Sequence, residues 1–478
     1  MHISPDIFRE YDIRGTADTD TSLNTANTAG EGVDLTDDAV ATIGKSFGTW
    51  LAQRGVKKIA LGGDVRLSTG RIRKAAAEGV LSTGIDVVDI GIVTTPMLYW
   101  SLYHLDLKGA IMVTGSHNPA NMNGMKLAFG KTTLWGEEVQ EIRRIAEKGA
   151  FAEAEKPGSI ECQSITDAYI AMLISKIQLG PRKLRVVCDS GNGTAGGTIC
   201  RFLSGLGCEC ISLFGEPDGR FPNHHPDPQK RENLTALIAK VRETKADVGF
   251  AFDGDADRLG VVDERGEIIF GDRLMALYWA EILKKHPGAE AIVEPKCTLA
   301  LPEEIQRLGG KVLYWKSGHS VIKAKMREIG ALFAGELSGH MFFADEYYGF
   351  DDSFYAAGRL LRILSQSDSN SNKTLSRLMA PIPFYPATEE ARIPCPDAQK
   401  FARVARLRDK ALEEYEGLVL DGVRILYPNG WGLVRASNTQ PVITARCEGK
   451  DEKALAFIMQ DVKKRILAEG LPDFDWTF

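Results

Sequence analysis

Val40, Ile43, Phe47, Trp50 and Leu51 recur at the spacing of one helix face and stop before Gly55. The segment that follows, Lys57-Lys58-Ile59-Ala60-Leu61, predicts a strand that ends at Gly62-Gly63-Asp64. The same passage from strand to polar turn returns twice. Residues 184–188 run into Asp189-Ser190-Gly191, and residues 291–293 run into Glu294-Pro295-Lys296. A helix-compatible segment follows each, so the pattern predicts three related α/β units with largely parallel sheets. The last hundred residues differ: a helix over 397–416, strands over 418–426 and 432–447, and a final helix over 451–469 predict a smaller α+β domain. Polar, proline-containing stretches near 155–164 and 380–398 read as linkers, and the Thr/Asn/Asp/Gly-rich residues 17–38 read as an exposed loop.

Length agrees with this division, because 478 residues exceed what one hydrophobic core usually serves. The 44% hydrophobic and 26% charged content are those of an ordinary globular chain, and a net charge of −6 gives no reason to expect binding to nucleic acid or to an anionic membrane. Eight cysteines without paired C-x-x-C spacing are expected to be reduced and mostly buried, with Cys208-Glu209-Cys210 read as strand packing. The amino terminus lacks the apolar core of a secretory signal, so a cytoplasmic setting is expected.

The chemistry is most concentrated at Asp253-Gly254-Asp255-Ala256-Asp257-Arg258. Three carboxylates on alternate positions repel one another unless a cation sits among them, and oxygen ligands favour Mg²⁺, Mn²⁺ or Ca²⁺. Apolar runs on both sides, 247–252 and 259–263, place the loop at a strand end. Asp253, Asp255, Asp257 and Glu264 also fall at positions 1, 3, 5 and 12 of an EF-hand loop, but Arg258 replaces the required glycine and the flanks are strand-like. Mg²⁺, which keeps positions open for water or a phosphate oxygen, is the better fit and points to phosphate chemistry.

Three other loops carry reactive or ligand-gripping groups. Residues 109–113 predict a strand delivering Thr114-Gly115-Ser116-His117-Asn118-Pro119 into a turn, and a hairpin-like return would bring Lys126 near Ser116, a hydroxyl able to accept a phosphoryl group. Gly335-Glu336-Leu337-Ser338-Gly339-His340 offers an acceptor, a hydroxyl and an imidazole suited to sugar hydroxyls. Arg435-Ala436-Ser437-Asn438-Thr439 offers a guanidinium, two hydroxyls and an amide to a phosphate. Each is also an ordinary polar turn when taken alone. A competing reading comes from Gly191-Asn192-Gly193-Thr194-Ala195-Gly196, which fits the dinucleotide-binding G-x-G-x-x-G after a strand, although no clean acidic residue ends the next strand.

Taken together, FREYDIRG at 8–15, TGSHNP at 114–119, FPNHHPDP at 221–228, DGDADR at 253–258, KSGHSVIK at 316–323, GELSGH at 335–340 and RASNTQP at 435–441 closely resemble the motifs of the α-D-phosphohexomutase superfamily, in particular its bacterial phosphomannomutase/phosphoglucomutase members. The resemblance spans nearly the whole chain. It implies a heart-shaped arrangement of four domains, three similar mixed α/β units and a smaller C-terminal α+β domain, over 1–162, 163–266, 267–381 and 382–478. It implies a phosphoserine at Ser116 and one Mg²⁺ held by Ser116, Asp253, Asp255 and Asp257, with hexose 1,6-bisphosphate as activator. Lys126 and His340 become candidates for proton transfer and Arg258 for assistance at the transferring group, while Arg14, Lys296 and His319 shape the charged centre. By the same resemblance, Glu336 and Ser338 would grip sugar hydroxyls, Tyr11 would pack against the substrate or its loop, and Arg435, Ser437, Asn438, Thr439 and Lys296 would bind phosphate. The implied partner is a phosphosugar, with no nucleic acid or membrane, and the implied state is a monomer or weak dimer. The segment 17–38 is longer than the usual connection, and GELSGH is closer to the form associated with use of both mannose and glucose than to the glucose-restricted form. A glucose-restricted mutase, a mutase of another sugar and a non-catalytic sugar-phosphate binder are the competing readings.

Overall fold

The computed structural model describes residues 3–18, 32–366, 373–437 and 440–478, and the chain divides into two compact units, Met1–Gly271 with Ser338–Leu378 and Asp272–Leu337 with Met379–Phe478. In the first unit, strand Lys58–Gly63 runs parallel to Asp86–Ile92 on one side and to Gly109–Val113 on the other. Gly109–Val113 is buried at every position, as a central strand covered on both faces must be. It returns antiparallel through Met122–Phe129, which pairs with Ile13–Thr16. Helix Asp37–Ala52 buries the predicted Val40, Ile43, Phe47, Trp50 and Leu51 in the same core, and its first turn is capped by the Thr36 hydroxyl accepting from Ala39 N at 3.3 Å.

The second sheet repeats this plan. Arg185–Asp189 runs parallel to Glu209–Leu213 and to Val248–Phe252, and Val248–Phe252 returns antiparallel through Leu259–Asp263 to the short strand Ile268–Ile269. The loops 114–121 and 253–258 therefore hold one topological position, the tip of the hairpin beside the central parallel strand. In the second unit, Glu290–Val293 lies parallel to Lys311–Tyr314 and Phe333–Gly335, which is how the same plan begins.

The C-terminal sheet is antiparallel throughout, in the order Ala391–Pro394, Val442–Gly449, Gly430–Ala436, Val423–Tyr427, Gly417–Leu418. Helices Asp397–Leu412 and Glu452–Ala468 cover it, with Val404, Leu407, Leu455, Ile458 and Val462 buried against Ile425, Val434 and Ile443.

Several sequence expectations need correction. Both linkers contain a strand: Ile160–Cys162 extends the first sheet beside residues 87–89, and Ala391–Pro394 edges the last sheet. Ile160–Cys162 is exposed at each position and Ala391–Pro394 spans only four residues, so neither gives a periodic signal long enough to read. The run 432–447 is two strands joined by a hairpin, 418–426 splits into Gly417–Leu418 and Val423–Tyr427, and the helix begun at 397 ends at Leu412. The end of the segment 17–38 is helical from Asp37, its residues 32–36 lie in the described structure, and residues 19–31 lie outside it.

The cysteines are not all reduced. Cys200 and Cys210 form a disulfide with Cα atoms 5.5 Å apart, because helix Ile199–Gly205 turns back along strand Glu209–Leu213 and sets the two side chains face to face. Spacing alone did not reveal a pair made across a helix–strand turn. Cys188, Cys208, Cys297, Cys395 and Cys447 are free and buried, and Cys162 is exposed. Among the described residues no helix is long and apolar enough to cross a membrane.

Candidate active site

Ser116 lies just past strand Gly109–Val113 with φ +49, in the left-handed region that costs a non-glycine residue about 1–2 kcal/mol. Its side chain is buried, donates from Oγ to Asp253 Oδ2 at 3.0 Å and lies 3.2 Å from His117 Nδ1. Burial, followed by the charges of Arg258 and Arg14, pushes His117 well below the ordinary histidine value. The imidazole beside the serine is thus neutral at pH 7.

Asp253, Asp255 and Asp257 are each 0% exposed, and each offers a carboxylate oxygen within 4.8 Å of the others. The loop leaves strand Val248–Phe252 and re-enters Leu259–Asp263, so residues of alternate position converge on one point. Asp253 Oδ1 accepts from the amides of Asp257 and Arg258 at 3.0 and 3.1 Å, which closes the turn. Asp255 Oδ2 accepts from Thr95 Oγ1 at 2.6 Å, at the start of helix Thr95–His104, whose positive end favours a carboxylate. Gly254 is needed for the two loops to meet, since a Cβ there would sit 2.5 Å from the Ser116 carbonyl oxygen.

Burial, then the charges of Asp257 and Asp255, pushes the Asp253 carboxyl well above the carboxylate range. Asp255 Oδ1 and Asp257 Oδ1 are buried with no hydrogen-bond partner among the described residues. Orphaned buried oxygens in an all-carboxylate set fit a hard divalent cation.

The basic groups surround this cage. Lys126, paired in register with Met112 across the hairpin, places Nζ 2.9 Å from Asp255 Oδ2 and 2.5 Å from Asp257 Oδ2. Burial opposes its charge, but Asp255 and Asp257 outweigh that and raise its pKa well above the ordinary lysine value. Ser116 and Lys126 thus contact different carboxylates of the same loop, Ser116 meeting Asp253 and Lys126 meeting Asp255 and Asp257. Arg258 Nε donates to His340 Nε2 at 3.0 Å, and His340 Nδ1 lies 3.1 Å from Asp351 Oδ2. A guanidinium can only donate, so Nε2 is the acceptor and a neutral ring carries its proton on Nδ1, toward Asp351. Arg14, on strand Ile13–Thr16, donates from Nε to Asp12 Oδ2 at 2.6 Å, and Tyr11 occupies the preceding bend, half-buried.

The division between units falls inside the 335–340 segment: Glu336 belongs to the second unit, Ser338 and His340 to the first. In the second unit Glu336 Oε1 accepts from Gly318 N at 2.9 Å, and the buried Glu294 accepts from Leu337 N at 2.7 Å. Lys296 Nζ is 3.7 Å from Glu294 Oε2; burial opposes its charge, but Glu294 and Glu390 raise its pKa. His319 opens helix His319–Ile329 and is buried. Asp421 Oδ2 accepts from Ser317 N at 2.7 Å and lies 4.0 Å from Arg435 Nη2, tying the 316–323 turn to the 435–441 hairpin. Ser437 Oγ accepts from Gln440 N at 3.1 Å. Asn438 and Thr439 lie outside the described residues.

Two alternatives fail on geometry. Glu264, the twelfth EF-hand position, turns away and accepts from Ser376 N at 3.1 Å. The turn at 191–196 does not open a helix directly, because the helix begins only at Ile199, and Thr194 Oγ1 is occupied by the Gly254 carbonyl at 2.8 Å. Sequence reading missed Asp351, Asp64, Arg66 and the Asp189–His224 pair, whose Nε2–Oδ1 distance is 3.0 Å. The F-P-N-H-H-P-D-P run held the signal for His224.

Comparison with known proteins places all of this in one family. Models described as phosphoglucomutase/phosphomannomutase alpha/beta/alpha domains I, II and III match residues 5–153, 167–266 and 270–384, and the C-terminal domain of the same family matches 390–465. A Pseudomonas putida phosphomannomutase/phosphoglucomutase is 42% identical over 473 residues, covering 99% of this chain and 97% of the relative. A Neisseria gonorrhoeae phosphoglucomutase is 41% identical over 479 residues, covering 99% of each. The crystal structure of a phosphoglucomutase/phosphomannomutase family protein from Burkholderia thailandensis superposes with a TM-score of 0.87 at 38% identity, covering 100% of both chains.

Proposed function

This chain belongs to the phosphoglucomutase/phosphomannomutase family and is an isomerase, and from that premise we propose that it interconverts hexose 6-phosphate and hexose 1-phosphate, of mannose, glucose or both, through a phosphoserine at Ser116 and a hexose 1,6-bisphosphate. The observation that carries the reading is the direct contact of Ser116 Oγ with Asp253 Oδ2 at 3.0 Å, a hydroxyl nucleophile at the lip of a buried acidic cage. In one half-reaction the bond between phosphorus and Ser116 Oγ breaks as a bond to the sugar hydroxyl forms, while the hydroxyl proton leaves to a protein group and Ser116 Oγ takes up a proton. In the other, the second phosphate of the bisphosphate returns to Ser116, so phosphorus is conserved on the enzyme. Serine restored to its phosphorylated form begins the next cycle.

The proposed roles follow from charge and position. Asp253, Asp255 and Asp257 would hold Mg²⁺ with one phosphoserine oxygen. Bound there, the ion supplies charge neutralisation on the transferring phosphoryl oxygens. Lys126, charged and facing the same site, stabilises developing charge and donates a proton more readily than it accepts one. His340 takes part in proton transfer once Arg258 releases Nε2 to grip the phosphoryl group. Arg14, Lys296 and His319 add positive character, Glu336, Ser338 and Tyr11 meet the sugar, and Arg435 and Ser437, with Asn438 and Thr439, hold the phosphate that is not reacting. The domain limits 1–162, 163–266, 267–381 and 382–478 are part of the same proposal, as are a monomer or weak dimer and a cytoplasmic setting.

The nearly equal identity to a glucose mutase and to a dual mannose/glucose mutase keeps both sugars in the proposal. The test is conversion of mannose and glucose 1-phosphates to 6-phosphates with catalytic hexose 1,6-bisphosphate, read beside intact mass. Turnover with one added phosphate mapping to Ser116 supports the mutase. A chain that binds these sugars yet never takes up phosphate is a binder instead.

A further inference from the structure

Resting on the reading of Ser116 as the phosphoryl carrier, we infer that Arg66 is the residue that positions it. The Arg66 side chain is 0% exposed and lies beneath the serine loop. Its Nη2 donates to the carbonyl oxygens of Ser116 at 2.7 Å and Asn118 at 2.6 Å, and its Nη1 donates to those of Pro119 at 2.5 Å and Met122 at 3.0 Å. Nε pairs with Asp64 Oδ2 at 3.2 Å. One planar group thereby gathers four carbonyls of one tight loop, of which that of Pro119 also accepts from Met122 N at 3.0 Å.

Asp64 completes the clamp from the same turn. Its Oδ2 also accepts from Thr114 Oγ1 at 2.9 Å and Gly115 N at 3.2 Å, and its Oδ1 accepts from Arg66 N at 3.0 Å. Gly115 belongs to the device, since a Cβ there would stand 2.5 Å from Arg66 Nε. From the other side, the Phe221 ring lies 5.2 Å from the guanidinium carbon, and His225 Nε2 donates to the His117 carbonyl at 2.5 Å. The 221–228 run, to which the mechanism gave no role, thus braces the serine loop opposite Arg66.

The consequence concerns Ser116 itself. A non-glycine residue at φ +49 persists only where its surroundings fix it, and Arg66 holds the carbonyl of that very residue. Lysine cannot replace it, because a single ammonium lacks the spread of donors needed to span four carbonyls. Arg66 touches no reacting atom here, so its part is to aim Oγ.

The test uses the full-length enzyme and the variants Arg66→Lys and Arg66→Ala. With Ser116 phosphorylated, Arg66→Lys is expected to lose about 100-fold in kcat, the scale of a nucleophile displaced by about 1 Å, while KM for hexose phosphate stays within about threefold. Transfer from hexose 1,6-bisphosphate to Ser116 should slow by the same factor, and the phosphorus NMR resonance of the phosphoserine should shift. Added guanidinium ion should restore part of the activity of Arg66→Ala. A folded Arg66→Lys enzyme with wild-type kcat, a loss confined to KM, or two variants unfolded at the assay temperature would each overturn the positioning role. A wild-type enzyme with neither turnover nor phosphate on Ser116 sinks the functional reading and this proposal with it.

Discussion

The Ser116 loop and the 435–441 loop both cap hairpins in mixed or antiparallel sheets, yet they are built in opposite ways. The first is buried, strained at Ser116, and held through its carbonyls by Arg66 and through its hydroxyl by Asp253. In the second, the Arg435 side chain is 12% exposed and lies 4.0 Å from Asp421. A group that must make and break a bond to phosphorus requires its atoms fixed within a fraction of an ångström, whereas a group that only grips phosphate needs charge and reach. Ser116→Ala should therefore give the largest effect, a loss of roughly three orders of magnitude or more in kcat together with loss of the phosphate detected by intact mass. Activity equal to wild type would remove Ser116 from the mechanism and the contrast with it.

The acidic cage should respond next. Asp255→Asn removes one of three carboxylates, so affinity for Mg²⁺, or for Mn²⁺ followed by paramagnetic resonance, should fall by at least about 100-fold. Mutase activity should be lost on chelation and return with Mg²⁺. Unchanged Mn²⁺ binding in this variant would show that the orphaned oxygens of Asp255 and Asp257 have another purpose.

Arg435→Ala tests the other side of the comparison. Charge-assisted hydrogen bonds contribute about 1.5–3 kcal/mol each, so KM should rise about 10- to 100-fold while kcat changes by less than about threefold. A collapse of kcat with KM unchanged would make Arg435 a participant in the chemistry, and the two loops would no longer be opposites.

How much of this could be read beforehand differs along the same line. The Asp253–Asp255–Asp257 spacing and the Ser116 turn were legible because like charges crowded on alternate positions, and a polar turn after a buried strand, are local patterns. Strands 109–113 and 248–252 were legible as unbroken apolar runs. Arg66 was not legible, since its acceptors are carbonyls 50 to 56 residues away and backbone oxygens leave no mark in a sequence. The Cys200–Cys210 pair and the edge strand Ile160–Cys162 were hidden for related reasons: one depends on how a helix turns back, the other on the sheet it joins. Local chemistry is written in residue types, while the clamps that aim it are written in the fold.

The smallest effect probes the brace behind the rigid loop. His224 Nε2 meets Asp189 Oδ1 at 3.0 Å, and although burial works against its charge, the hydrogen bond and charge of Asp189 raise its pKa above the ordinary histidine value. A group whose folded pKa exceeds its unfolded value of about 6.5 stabilises the fold fully below that value, and loses this contribution as pH rises through the folded pKa. His224→Gln keeps a polar group but removes the titration. Thermal melts of the two proteins should accordingly lie further apart at pH 6 than at pH 9, with all other titrations common to both and cancelling in the difference. Because His225, one residue on, donates to the His117 carbonyl, the same substitution should slow phosphoryl transfer slightly where the brace weakens, and leave the KM contribution of Arg435 untouched. An equal gap at both pH values would mean that the Asp189–His224 contact holds the loop by packing alone, and that its charge plays no part.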